Sequence, residues 1–362
     1  MVLTGFDNQM NFDGFYDTKN SALDYTLDIK QLKLQSLEGF TSDNLTESSG
    51  FFSGNLKITG SIEQPRLAGD LKFNDIAFRI TPLNASFKRL DDIIHFSQQG
   101  IRFDKFSLSD INNNRLTVNG SILTTNYTDF SFGLTIHADN FKALSSTAAD
   151  NDLYYGYLFL NTNLQIRGTM ESPPITGSVF INERTKLTLV LPQVNPSIAD
   201  RKGVVEFVDE TSLELKKAKQ IKDDFASTEL RGMTMSVNVS IDPRAAFKVI
   251  IDEANEDNLN LKGNAQLSFG IDPSGNTSLT GRYEFTEGAY EMSFNFIKRR
   301  FEIEKGGFIL WSGDPTSPAI NITAVYETRA SPIDLVGNQI GPLPVQQEIS
   351  INNPCPSRLY YR

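Results

Sequence analysis

The chain has 362 residues, a formal net charge of −10, a pI near 4.9 and a single cysteine, Cys355. The acidic balance argues against a nucleic-acid groove, which needs clustered Lys and Arg to displace phosphate counterions, and one cysteine excludes an internal disulfide framework. No stretch offers the roughly 20 apolar residues of a spanning helix, and no basic and apolar leader follows Met1. The length alone suggests two or three domains, but elongated all-β arrays grow past the usual size without splitting. Because the chain opens in strand-like sequence and residues 353–362 end polar and Pro-containing, the expectation is a partial chain.

In chain order, apolar residues alternate at period two: Leu23, Tyr25, Leu27 and Ile29, then Phe130, Phe132, Leu134 and Ile136. Met233, Met235, Val237, Val239 and Ile241 follow, then Phe247, Val249 and Ile251. The longest run is Leu259, Leu261, Gly263, Ala265, Leu267, Phe269 and Ile271, with Asn260, Lys262, Asn264, Gln266 and Ser268 on the other parity. Such alternation predicts strands with one apolar face, and Gly263 is expected to bend or divide its strand.

A strand-turn-strand pattern also occurs twice. Leu56, Ile58, Gly60, Pro65, Leu67, Gly69, Leu71 and Phe73 return 108 residues later as Leu164, Ile166, Gly168, Pro173, Ile175, Gly177, Val179 and Ile181. Turn chemistry at Asn112-Asn113-Asn114, Asp242-Pro243, Asp272-Pro273-Ser274-Gly275, Lys305-Gly306-Gly307 and Gly313-Asp314-Pro315 predicts short hairpins and an antiparallel meander. The only helical pattern covers residues 213–225, after the strand-like residues 204–208, and residues 144–152 read as a loop and a soft boundary. The predicted class is therefore all-β, an elongated antiparallel sheet with almost no helix, divided near residue 150. A sheet with one apolar face must be covered by helices, by another sheet or by a ligand. With helices missing, the sheet either curls into an open groove or closes as a sandwich.

Chemistry-bearing motifs are absent. His95 and His137 stand far apart, each flanked by strand residues, and read as surface or satisfied structural groups. There is no nucleophile elbow, phosphate-binding Gly-rich loop or Cys-x-x-Cys. Carboxylates such as Asp91-Asp92, Asp223-Asp224 and Glu302/Glu304 read as solvating the outer face and edge strands, and Lys298-Arg299-Arg300 as a solvated turn or a headgroup or partner contact. The expectation is a non-enzyme with no catalytic residue, cofactor or metal.

Residues 281–326 carry a more specific pattern: Gly281, Tyr283, Phe285, Gly288 and Tyr290, then Arg299 and Arg300, then Trp311, Gly313, Asp314 and Pro315. This signature resembles the C-terminal domain of the TamB family, the inner-membrane-anchored component of the translocation and assembly module, in its Bacteroidota-like form. The resemblance is strongest over residues 180–326. It places a TamB C-terminal-like groove domain at 151–362 and an AsmA-like β-repeat segment at 1–150.

The resemblance implies a β-groove protein of the periplasm, anchored to the inner membrane through a segment absent from this chain. It further implies a BamA-like outer-membrane partner (TamA-like) and a role in phospholipid transport between the membranes, or in assembly and secretion of outer-membrane proteins. The cargo is then phospholipid or unfolded outer-membrane protein strands. The residues expected to line the groove are Phe130, Phe132, Leu134, Ile136, Met235, Val237, Val239, Phe247, Val249, Leu259, Leu261, Leu267, Phe269 and Ile271. Gly281, Gly288 and Gly313 are expected at bends or close approaches, with Trp311 and Tyr290 packed there. Twenty-odd strands at ~4.8 Å spacing predict a trough on the order of 100 Å long. The other readings are a transmembrane β-barrel fragment, disfavoured by the lack of aromatic girdles, and a structural or adhesive β-array.

Overall fold

The computed structural model describes residues 1–127, 129–191, 234–294, 297–330 and 355–361, and all their strands join one hydrogen-bonded sheet. Among the described residues the helical pieces are the short 3-10 segments Leu34–Phe40 and Thr81–Leu83. The helix predicted over 213–225 and the segment before it lie outside the described residues.

The first strands form the predicted meander: β1 (Val2–Gly5), β2 (Asn8–Asp17), β3 (Ala22–Lys33), β4 (Leu45–Ser61) and β5 (Pro65–Ile80). Next, β6 (Ala85–Leu90) and β7 (Ile93–Ser97) lie end to end along β5, sharing one rung of the sheet. The meander resumes with β8 (Gly100–Asp110), β9 (Arg115–Thr124), β10 (Phe130–Ser146) and β11 (Tyr154–Thr169). Residues 144–146, predicted as loop, belong to β10, whose pairing with β11 extends to Ser146 opposite Gly156.

Beyond β11 the pairing departs from the antiparallel expectation. β12 (Pro174–Ile181) and β13 (Lys186–Val190) share the rung after β11, and β14 (Thr234–Ile241) and β15 (Ala246–Asp252) lie parallel to them. Parallel neighbours need a crossover of a dozen or more residues, and residues 192–233 supply that length. Antiparallel order returns with β16 (Asp257–Ile271), β17 (Thr277–Phe294), the end-to-end pair β18 (Ile297–Ile303) and β19 (Phe308–Gly313), then β20 (Ala319–Asn321), β21 (Ala324–Ala330) and β22 (Cys355–Tyr361). Gly263 neither divides nor ends β16. The strand runs through, and the register against β17 shifts by a bulge between Lys262 and Gly263. Because several strands share rungs, the expected length shrinks to on the order of 80 Å at ~4.8 Å per rung.

The two copies of the strand-turn-strand pattern fold in the same register. Leu56 faces Gly69 and Ile58 faces Leu67 in one, while Leu164 faces Gly177 and Ile166 faces Ile175 in the other. Both second-strand glycines have left-handed φ, +131° at Gly69 and +143° at Gly177. A Cβ at Gly69 would fall on the Asn55 carbonyl, and one at Gly177 on the Asn163 carbonyl, so only glycine lets the backbones approach this closely.

A second repeat emerges from the parallel rungs. Every pairing there joins residues 60 apart, from Pro174 with Thr234 to Val190 with Ile250. The bends coincide as well: Asn182 Oδ1 accepts the Arg184 N–H at 3.1 Å, and Asp242 Oδ1 accepts the Arg244 N–H at 2.9 Å. The first bend stacks on the second through the Asp242 N–H to Ile181 carbonyl bond and the Ala246 N–H to Thr185 carbonyl bond.

The sheet curls. Phe87 on β6 and Phe141 on β10 stack with ring centroids 5.7 Å apart, although β8 and β9 intervene in the pairing order. At the opposite strand ends Tyr127, in the β9–β10 turn, reaches back so that its hydroxyl donates to the Ser97 carbonyl at 3.2 Å, with the Leu67 carbonyl on β5 at 3.4 Å. The fold is thus an all-β sheet curled into an open groove, as the sequence predicts.

Candidate functional site: the apolar face of the sheet

Residues directly opposite one another in a ladder share a face, so the register traces the apolar surface from rung to rung. One row runs Phe12, Leu27, Leu56, Gly69, Phe96, Ile101, Ile122 and Phe132. Beside it Val118, Ile136, Leu164, Gly177, Val237, Phe269 and Leu279 continue the same face into the second half. Leu134, Ile166, Ile175, Met235 and Ile271 make a third row. A fourth passes from Val179 through Val239, Leu267 and Gly281 to Trp311.

At the other end of the long strands, Leu187, Phe247, Leu261 and Gly288 align, as do Leu189, Val249, Leu259, Tyr290 and Phe301. Phe130 shares the parity of Phe132. All fourteen expected lining residues therefore fall on one face of one sheet.

The face is not uniformly open. Leu261, Ala265, Tyr283, Phe285 and Ile303 are buried together, with Phe247, Leu259, Leu267 and Trp311 packed around them. Phe130, Phe132, Ile136, Met235, Leu267 and Phe269 are only half-buried. Closed packing also gathers around Ala85, Phe87, Ala138 and Phe141 and around Leu34, Ile76 and Leu90, and Leu134 and Val237 are buried, so the accessible apolar surface is the half-buried set that includes Phe130, Phe132 and Phe269. Within the closed part the Tyr283 hydroxyl is buried with no hydrogen-bond partner, and burial pushes its pKa up.

The signature residues divide between two places. Gly281, at φ +122°, lies opposite Trp311, and a Cβ there would meet the Gln266 carbonyl. The Trp311 indole N–H donates to the Pro315 carbonyl at 3.1 Å, while the Asp314 carboxylate accepts from the Thr316 N–H and hydroxyl at 2.8 and 2.7 Å. Gly313 has φ +151° with open space where a Cβ would stand. Tyr290 packs on Phe301, which packs on Tyr326, with centroids 6.2 and 5.3 Å apart. The bulge beside Gly263 and the length of β17 separate the two groups, and Gly288 packs against Ile303 between them.

In the basic triplet, Arg300 pairs with Glu291 and Glu302, Lys298 pairs with Glu256, and the Arg299 guanidinium stands 6.0 Å from the Tyr326 ring centre. The Lys298 and Arg300 charges are thus compensated locally. His95 Nδ1 lies 2.7 Å from Asp70 Oδ1 and His137 Nε2 lies 3.0 Å from Asp139 Oδ2.

Sequence reasoning missed Asp110, which is fully buried at the β8–β9 turn. Its carboxylate accepts backbone N–H bonds from Asn112, Asn114 and Lys142 at 2.8, 2.9 and 2.8 Å, and a side-chain bond from Asn114 at 2.9 Å. The bonds from Asn112 and Asn114 follow from an Asx-turn reading of residues 110–114; the bond from Lys142 on β10 has no local sequence signal.

No curated protein and no solved structure matches the chain. Residues 104–354, more than two thirds of its length, match the family model described as the TamB C-terminal domain, a match that begins within β8. With the curled one-faced sheet and the signature cluster around Gly281 and Trp311, this match places the chain in the TamB family, among cell-envelope proteins.

Proposed function

We propose that the chain forms part of a periplasmic bridge, anchored at the inner membrane, whose apolar groove carries phospholipid acyl chains toward an outer-membrane BamA-like partner. The observation that supports this reading is the one apolar face that the neighbouring rows trace from Phe12 on β2 to Trp311 on β19. Phospholipid tails hold roughly 30 methylenes, and at ~0.8 kcal/mol each their exposure to water costs on the order of 20 kcal/mol. A continuous apolar lining removes most of that cost, and an open side leaves the headgroup in water. The groove acts by solvation and carries out no bond chemistry.

Native mass spectrometry of the chain purified from bacterial membranes tests this reading. Co-purified phospholipid is the expected result, and a bare chain under conditions that retain lipid on a control carrier would overturn it.

A further inference from the structure

β13, β15, β16, β17 and β18 line an open concavity of about 600 Å³, a volume in the range of small-ligand sites; its charged residues have the parity opposite to the apolar rows, and Leu187, Phe247, Leu261, Gly288 and Ile303 also border it. Lys186, Ala246 and Lys262 align across three strands, as do Thr188, Lys248 and Asn260, and each alternates with an inward residue such as Leu187, Phe247 or Leu261. Arg300, Glu302, Glu287 and Lys305 complete the wall.

Two of its five cations are already engaged. Lys262 donates to Glu287 at 2.8 Å and Arg300 to Glu302 at 2.7 Å. Lys186, Lys248 and Lys305 form no ion pair among the described residues. The cationic field reaches into the wall, since Lys262, with Lys305 adding to it, holds the Glu287 carboxyl below its usual range. In a chain of net charge −10, this is a local surplus of positive charge facing a concave space.

We propose that this concavity binds a phosphate-bearing anion. Three spare ammonium groups exceed what a single carboxylate can pair with, and lysine ammoniums suit a tetrahedral oxyanion because they act as point charges with no planar fork to satisfy. The neutral Thr188 and Asn260 side chains of the same rows offer hydrogen bonds to the remaining oxygens. The lysines alternate with the apolar rows along their strands, and the site does not depend on the lipid-carrier reading.

Isothermal titration of the whole chain with inorganic phosphate, glycerol 3-phosphate, and vesicles of phosphatidylglycerol against phosphatidylcholine tests it. One anion per chain is expected, with affinity falling as salt rises. Replacing Lys186, Lys248 and Lys305 together by Gln should weaken binding about tenfold or more, while Glu287→Gln, which frees Lys262, should strengthen it. Binding of the small anions alone identifies a soluble ligand, and binding of phosphatidylglycerol vesicles alone identifies a lipid headgroup; either upholds the site. No binding of any probe, or a triple variant with unchanged affinity and an unchanged melting midpoint, overturns it. Should the triple variant fail to fold, Lys305→Gln alone decides, and unchanged affinity there also overturns the site.

Discussion

Trp311 stands directly across the β17–β19 ladder from Gly281, and its indole N–H closes on the Pro315 carbonyl just past the strand's end at Gly313. The absent side chain at Gly281 leaves room for the large ring opposite, and at its left-handed φ of +122° a Cβ would stand 2.2 Å from the Gln266 carbonyl oxygen and 2.9 Å from Leu267 Cα. Gly281→Ala should therefore cost about 2–4 kcal/mol in urea unfolding. Gly5→Ala, where nothing lies within 4 Å of a Cβ and φ is ordinary, should be neutral. Equal effects at the two positions would show that close approach at Gly281 is unimportant.

Asp110 ties the β8–β9 turn to β10 through the Lys142 N–H. Asp110→Ala strands several buried donors at once and should cost about 2–4 kcal/mol, with Asp110→Asn intermediate because one amide oxygen still accepts. Hydrogen exchange at Lys142 and Asn114 is the sharper readout. Protection there should collapse before protection in β16.

Phe269 lies half-buried in the row from Val237 to Leu279. Phe269→Asp should leave cooperative unfolding in place but abolish co-purified lipid, because an open face has fewer packed neighbours than a closed core. Phe285→Asp, at a side chain 2% exposed, should instead prevent folding. A Phe269→Asp chain that is wholly unfolded would argue for closed packing along the whole face.

The turn carboxylates predict a pH dependence. Asp272, Asp252 and Asp314 lie below the ordinary value of 3.8, chiefly through hydrogen bonds from the side chains of Asn276, Asn255 and Thr316. A pKa lowered by folding stabilises the fold fully above the unfolded value, and that stabilisation is lost as pH falls through the folded value. The melting midpoint should hold on acidification to about pH 5 and then decline, with a shallower decline in Asp272→Asn. A midpoint that rises on acidification would contradict these turn assignments.

The faces were legible in the sequence because side-chain parity survives any pairing. Leu261 and Phe269 point the same way whichever strand lies beside them, and the inward set followed from period two alone. Pairing direction leaves no such mark, since parallel and antiparallel strands share that period, so the parallel rungs of β12 with β14 and β13 with β15 could not be read. The 60-residue repeat was hidden by substitutions such as Glu183 for Pro243 and Lys186 for Ala246. Val179/Val239, Ile181/Ile241, Arg184/Arg244 and the Asx pair Asn182/Asp242 keep its outline.

The in-register stacking of residues 60 apart makes length an evolvable quantity. A strand-bend-strand unit that pairs with its own copy can be duplicated or deleted while every inward residue keeps its phase, because the unit on either side meets the same backbone pattern. Chains of this design can lengthen or shorten their apolar face by changing the number of copies, with no new interface to invent at each change.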